Sequence, residues 1–214
     1  MRLVPRMARR NRVTPLGELV ADPTRGLVYG NRGCLHDVTG AIVRPFQVRR
    51  WIACRLDFKG RRRSPLMQPG RYTELFFLDE ATAMAAGHRP CAECRREDYV
   101  RFLERWTERH PRERTADAID LRLHAERFDR GTRSRRFHEV DLDSLPDGAF
   151  VLRDAEPYVV IGPSLLRWTP RGYTSRVPRP TGGTAISITQ PSLVDHLRAG
   201  TGSALPLLHP SATG

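Results

Sequence analysis

The chain has 214 residues, 39% hydrophobic and 28% charged, with a formal net charge of +12 and a pI near 10.8. That length suits one large domain or two small ones, and no apolar run approaches the ~20 residues of a membrane-spanning helix. The charge balance points to a polyanionic partner, nucleic acid before any other, although Lys59 is the only lysine among 36 basic residues and a GC-rich genome also produces such an arginine excess.

Residues 1–15 read as a flexible basic arm. Arg2, Arg6, Arg9, Arg10 and Arg12 precede no apolar stretch, so a secretory signal is not expected and the cytoplasm is. In that compartment four cysteines read as metal ligands or reactive thiols rather than disulfides. Turn signals at Asp22-Pro23, Arg25-Gly26, Gly30-Asn31 and Arg32-Gly33 separate short strands, such as 27–29 and 41–43. Residues 51–58 have strand propensity, and the basic run 59–63 reads either as a solvated loop or as a phosphate-contacting one.

Residues 74–78 read as a short buried strand. Asp79 then suits an N-cap, Glu80 the positive end of a helix, and Gly87 the C′ position, which predicts a short helix over 80–86. A second helix is expected from about 92 to 110, with Tyr99, Leu103 and Trp106 on one face, and a third over 115–128, with Ile119 and Leu123 inward. Residues 129–136 are polar and arginine-rich, hence a loop. A hairpin is expected between 149–152 and 158–161, then a strand at 185–189 and a helix over 192–199. The fold class is thus α+β: a small zinc-centred α/β domain with a helical extension, then a small β-rich domain. The boundaries are 1–15 for the arm, 16–112 for the zinc-binding domain and 113–140 for a helical connector with its arginine-rich loop. The β-rich domain covers 141–205 and a loose tail 206–214.

The strongest chemical signal is Cys91-Ala92-Glu93-Cys94. Two thiolates on one tight turn reach a Zn²⁺ ion at ~2.3 Å each. A thioredoxin-like redox pair would follow a strand, whereas this one follows a helix and His88-Arg89-Pro90. Tetrahedral zinc needs two further ligands, and the economical set is Cys34, Cys54, Cys91 and Cys94. For the fourth ligand His36, Asp37, Asp57 and His88 are alternatives to Cys34. The bland reading of Cys54 is a small buried hydrophobe.

Residues 75–94, Leu-Phe-Phe-Leu-Asp-Glu-Ala-Thr-Ala-Met-Ala-Ala-Gly-His-Arg-Pro-Cys-Ala-Glu-Cys, together with Ile52-Ala53-Cys54-Arg55, resemble the zinc-binding domain of the Ada DNA-repair proteins. The likeness spans about residues 50–98. It implies that Cys54 is the first zinc ligand and, in that family's chemistry, an acceptor of a methyl group from a DNA phosphotriester. The family places a second cysteine four residues on, where this chain has Phe58, so the fourth ligand must come from elsewhere.

The leading expectation is a non-catalytic zinc protein that binds nucleic acid, DNA before RNA, through Arg55, Lys59, Arg61, Arg62, Arg63, Arg89 and Arg95. Membrane contact and a small-molecule cofactor are not expected. The alternatives are a methyl acceptor using Cys54, a nuclease with its catalytic residues in 120–143 (His124, Glu126, His138, Glu139, Asp141, Asp143), and a protein-interaction adaptor. Trp168 and Tyr173 read as a hydrophobic plug in preference to a base-stacking pair.

Overall fold

The computed structural model describes residues 8–61, 64–129, 131–132, 134–200 and 206–213. The fold is mixed α+β, with a mixed six-stranded sheet, an antiparallel six-stranded sheet and helices between them. The first sheet contains β1 (Arg10–Val13), β2 (Leu19–Ala21), β3 (Val28–Asn31), β4 (Ile52–Cys54), β5 (Leu75–Phe77) and β6 (Arg89–Pro90), in the order β2-β1-β5-β3-β4-β6. Part of the expected N-terminal arm is therefore a strand. Asn11 and Val13 are buried, and Arg12 lies across from Phe76 with its guanidinium 4.7 Å over that ring.

The second sheet contains β7 (His138–Asp141), β8 (Phe150–Arg153), β9 (Glu156–Ile161), β10 (Ser164–Thr169), β11 (Gly172–Pro178) and β12 (Thr184–Ser187), in the order β11-β10-β9-β8-β12-β7. The hairpin read from the sequence is β8–β9. Its two-residue turn puts Asp154 and Ala155 at φ 51° and 61°, the left-handed pair that matches the twist of the flanking strands.

Helix α1 (Glu80–Ala85) is the pivot of the molecule. Asp79 caps it, accepting from the Thr82 amide at 2.8 Å and the Thr82 hydroxyl at 2.6 Å. Its far end closes as a Schellman turn. The Gly87 amide donates to Met84 and the His88 amide to Ala83, with Gly87 at φ 96°. After Glu80 the helix is buried on every side, and apart from Thr82 it is apolar on every side. Ala81 and Ala85 join the core beneath the second sheet, Ala83 and Ala86 join that of the first, and Met84 enters a third cluster. Alanine at these positions lets both sheets approach closely.

That third cluster crosses the boundaries expected at 112 and 140. Phe102 and Trp106 of α2 (Arg96–Arg109) pack with Ile119 and Leu123 of α3 (Ala116–Arg127). They also pack with Val151, Val160 and Leu165 of the second sheet, and with Leu193 and Leu197 of α4 (Pro191–Ala199). The segment read as a connector is core, and the two halves share their apolar interior. The tail is also anchored: the His209 amide donates to Asp79 at 3.0 Å, and the backbones of Leu207 and Glu80 bond at 2.9 Å. Trp168 and Tyr173 are buried plugs. The Trp168 indole N–H donates to Thr82 at 3.1 Å, and the Tyr173 hydroxyl donates to Asp79 at 2.8 Å.

Candidate metal centre

The parallel pairing of β4 with β6 builds the site. Ile52 lies beside Arg89 and Ala53 beside Pro90, so the next step in register sets Cys54 beside Cys91. The Cys91 amide donates to Ala53 at 2.9 Å and locks that register. The chain then turns tightly, with the Arg95 amide donating to Cys91 at 3.1 Å, and this turn brings Cys94 back. Helix α2 starts only at Arg96, later than the apolar spacing indicates. Residues 91–95 have to form a turn if both thiols are to face one point.

The sulfurs of Cys54, Cys91 and Cys94 all lie within 4.8 Å of one another. Ligands of a tetrahedral ion at ~2.3 Å sit about 3.8 Å apart, so the three are spaced to share one. All three residues are buried, at 6%, 8% and 7% exposure. The Cys54 thiol donates to Cys91, and with backbone amides of Cys94 and Glu93 it lowers the Cys91 thiol to about 5. The Cys54 thiol itself is pushed up by that same bond and by burial. Burial also raises Cys94, against the pull of the Arg55 amide that donates to it. Amides aimed at sulfur favour thiolate, the form a metal takes.

The cluster is walled by Tyr29, Ile52, Phe58 and Phe76. Phe58, four residues after Cys54, packs against this cluster. Its ring carries the Lys59 ammonium and the Arg61 guanidinium, each 5.2 Å from the centroid. Three sulfurs from two chain segments could hold a metal ion.

The other ligand candidates do not join the group. Cys34 is half-buried and lies outside the three-sulfur group. Its thiol donates to the His36 carbonyl at 3.5 Å. His36 bonds Thr73 at 2.6 Å and Gln68 at 3.2 Å. Asp37 closes an exposed turn on Thr39 and Ala41. Asp57 is exposed and outside the cluster. His88 sits in the aromatic core, 5.0 Å from the Trp51 ring and 4.6 Å from Phe77. Burial and the charges of Arg32, Arg127 and Arg135 hold it neutral.

The cations divide into two groups. Arg55, Lys59 and Arg61 are exposed around the cysteine cluster, with Arg61 paired to Glu93. Arg62 and Arg63 lie outside the described residues. Arg89 faces inward: it is 1% exposed and grips Asp120 of α3 through two bonds of 2.8 and 2.7 Å. Arg95 bonds Glu80 at 2.6 Å and Asp98 at 2.8 Å. Both are fold-building arginines, because each has its charge matched by carboxylates inside the structure. Nothing in the local sequence around Asp120 announces it as the partner of Arg89.

In the 120–143 region, four of the named side chains are tied into the fold. Glu126 accepts from the Ser192 amide and hydroxyl, and the Asp143 carboxylate accepts from the Gly182 amide. His124 packs against Phe46 and Phe128, and His138 bonds the Glu126 carbonyl. Among the described residues the three cysteines are the only His, Cys, Asp or Glu group spaced to hold a metal. No helix among them is long and apolar enough to cross a membrane. No protein-family model, no curated protein and no solved structure matches the chain.

Proposed function

We propose that the protein is a zinc-thiolate protein whose ion joins the end of β4 to the turn before α2, and whose basic rim binds nucleic acid, DNA in the first instance. The observation that carries this reading is the convergence of three sulfurs, from residues 37 positions apart in the chain, within 4.8 Å of one another. Zinc is favoured over harder ions by an all-sulfur donor set. Bound there, it would supply a cross-link between the first sheet and the helical layer. The Ada-like order of Cys54 and the later Cys-x-x-Cys supports the same assignment. For nucleic acid the support is the net charge of +12 and the exposed Arg55, Lys59 and Arg61 around the cluster. The burial of Cys54 and the aromatic side chains packed around the cluster weigh against its use as a methyl acceptor.

The metal half is tested by elemental analysis of the purified full chain. One zinc per chain is expected; Cys54→Ser, Cys91→Ser and Cys94→Ser should lose it, and Cys34→Ser should keep it. A metal-free protein, with native stability in all three variants, would refute the reading. The nucleic-acid half is tested by fluorescence anisotropy on a DNA duplex across salt concentrations. Replacing Arg55, Lys59 and Arg61 together by Gln should weaken binding and reduce the salt slope by up to about 3. An unchanged slope would remove these residues from the interface.

A further inference from the structure

On the other end of β3 and β4 lies a pocket of about 620 Å³ that the metal centre does not use. Arg10, Arg32, Arg44 and Arg135 line it, with a single carboxylate, Glu18. Arg32 is 1% exposed. Its Nη2 donates to the Gly17 carbonyl at 2.8 Å, and its plane lies 4.4 Å over the Trp51 ring. Its Nε and Nη1 meet no acceptor. Arg135 donates to the carbonyls of Ala85 and Ala86, and its buried Nε also meets no acceptor. Both guanidinium groups flank Gly17: a methyl built there would lie 3.2 Å from Nη1 of Arg135 and 3.8 Å from Nη1 of Arg32.

Two guanidinium groups are thus held side by side with only backbone carbonyls as partners. No ion pair among the described residues joins Arg10, Arg32, Arg44 or Arg135 to a carboxylate. Burying charges of one sign without counter-charge is strongly unfavourable. Burial, then repulsion from Arg135, lowers the Arg32 guanidinium to about 9. An oxyanion removes both penalties, and a tetrahedral one offers acceptors to guanidinium planes approaching from different directions. The volume exceeds that of an inorganic anion and falls in the range of small-molecule sites. The remaining wall is apolar, from Leu16, Leu19, Val43 and Phe128. The ligand therefore has an organic part beside its charge.

We propose that this pocket binds a phosphate monoester, with the phosphate between Arg32 and Arg135 and the organic moiety against the apolar wall. The ester is either a small molecule or the terminal phosphate of a nucleic acid, and the two share this recognition chemistry. The site is separate from the metal centre and does not depend on it.

The test is calorimetric titration of the full chain with inorganic phosphate, adenosine 5′-monophosphate, adenosine, and a short oligonucleotide with either a 5′-phosphate or a 5′-hydroxyl. One site per chain is expected. Preference for the monophosphate over adenosine identifies a small-molecule source. A preference confined to the 5′-phosphorylated oligonucleotide identifies a nucleic-acid end. Arg32→Gln should weaken phosphate binding by roughly tenfold or more, the worth of one charge-assisted contact. Arg44 is exposed at the rim, so Arg44→Glu gives the same readout without touching the core. Absence of binding by every phosphate probe at millimolar concentration overturns the proposal. So does equal binding of phosphorylated and unphosphorylated partners in both the nucleoside and the oligonucleotide pair, or binding indifferent to Arg44→Glu.

Discussion

Arg89 stands two residues before Cys91, and its burial makes Asp120 a sensitive lever on the metal centre. The two side chains are 2% and 4% exposed and joined by two bonds. Replacing Asp120 by Ala leaves Nε and Nη2 of Arg89 buried without acceptors, while Nη1 keeps the Pro90 carbonyl at 3.1 Å. An uncompensated buried charge of this kind costs about 3–5 kcal/mol. Asp120→Asn keeps the shape and one acceptor, and should cost roughly half as much. The double variant Arg89→Met, Asp120→Leu removes both charges and fills similar volume, so most of the loss should return. The assay is urea unfolding at fixed metal concentration, with the rate of metal release to a chelator measured in parallel. Asp120→Ala should also release metal faster, because Arg89 anchors the strand β6 that carries the chain into Cys91. A cost below about 1 kcal/mol for Asp120→Ala, or a double variant no better than the single, would refute the account of Arg89 as a buried, internally neutralised cation.

Chelation should lower the midpoint of thermal unfolding, followed by circular dichroism, and the Cys91→Ser variant should be insensitive to the chelator; equal shifts in both would show that the effect is not at this site. Asp79 accepts four hydrogen bonds, from Thr82 amide and hydroxyl, Tyr173 hydroxyl and His209 amide. Asp79→Ala should therefore destabilise the protein by about 3–5 kcal/mol in urea unfolding, well beyond the ~1 kcal/mol of a helix cap alone. His196 packs 4.4 Å from the Phe102 ring, and burial, then the charge of Arg105, lowers its pKa to about 4. The unfolded chain takes up that proton near pH 6.5 and the folded one does not. Stability contributed at neutral pH is thus lost as pH falls from about 6.5 toward 4, by on the order of 2 kcal/mol. Urea midpoints at pH 7 and pH 4.5 should show this difference, and His196→Leu should reduce it, leaving the part that comes from buried His88.

The sequence by itself determined the local elements and half of the metal centre. Asp79 and Gly87 delimit α1 because capping chemistry is local, and Asp154-Ala155 turns β8 into β9 for the same reason. Cys91 and Cys94 are legible because a spacing of three residues brings two thiols together whatever the rest of the chain does. Cys54 joins them through a strand register, which the short supply of other thiols and the likeness to a known pattern only hinted at. The tertiary structure decided what depends on distant partners. It put Cys34 at the opposite end of β3, and it turned Arg89 inward to meet Asp120, 31 residues away. It also gathered Arg32 and Arg135 around Gly17. An arginine reads the same in a sequence whether it faces water, a carboxylate or a second arginine. Its role is set by the field of residues that only the packed fold brings near.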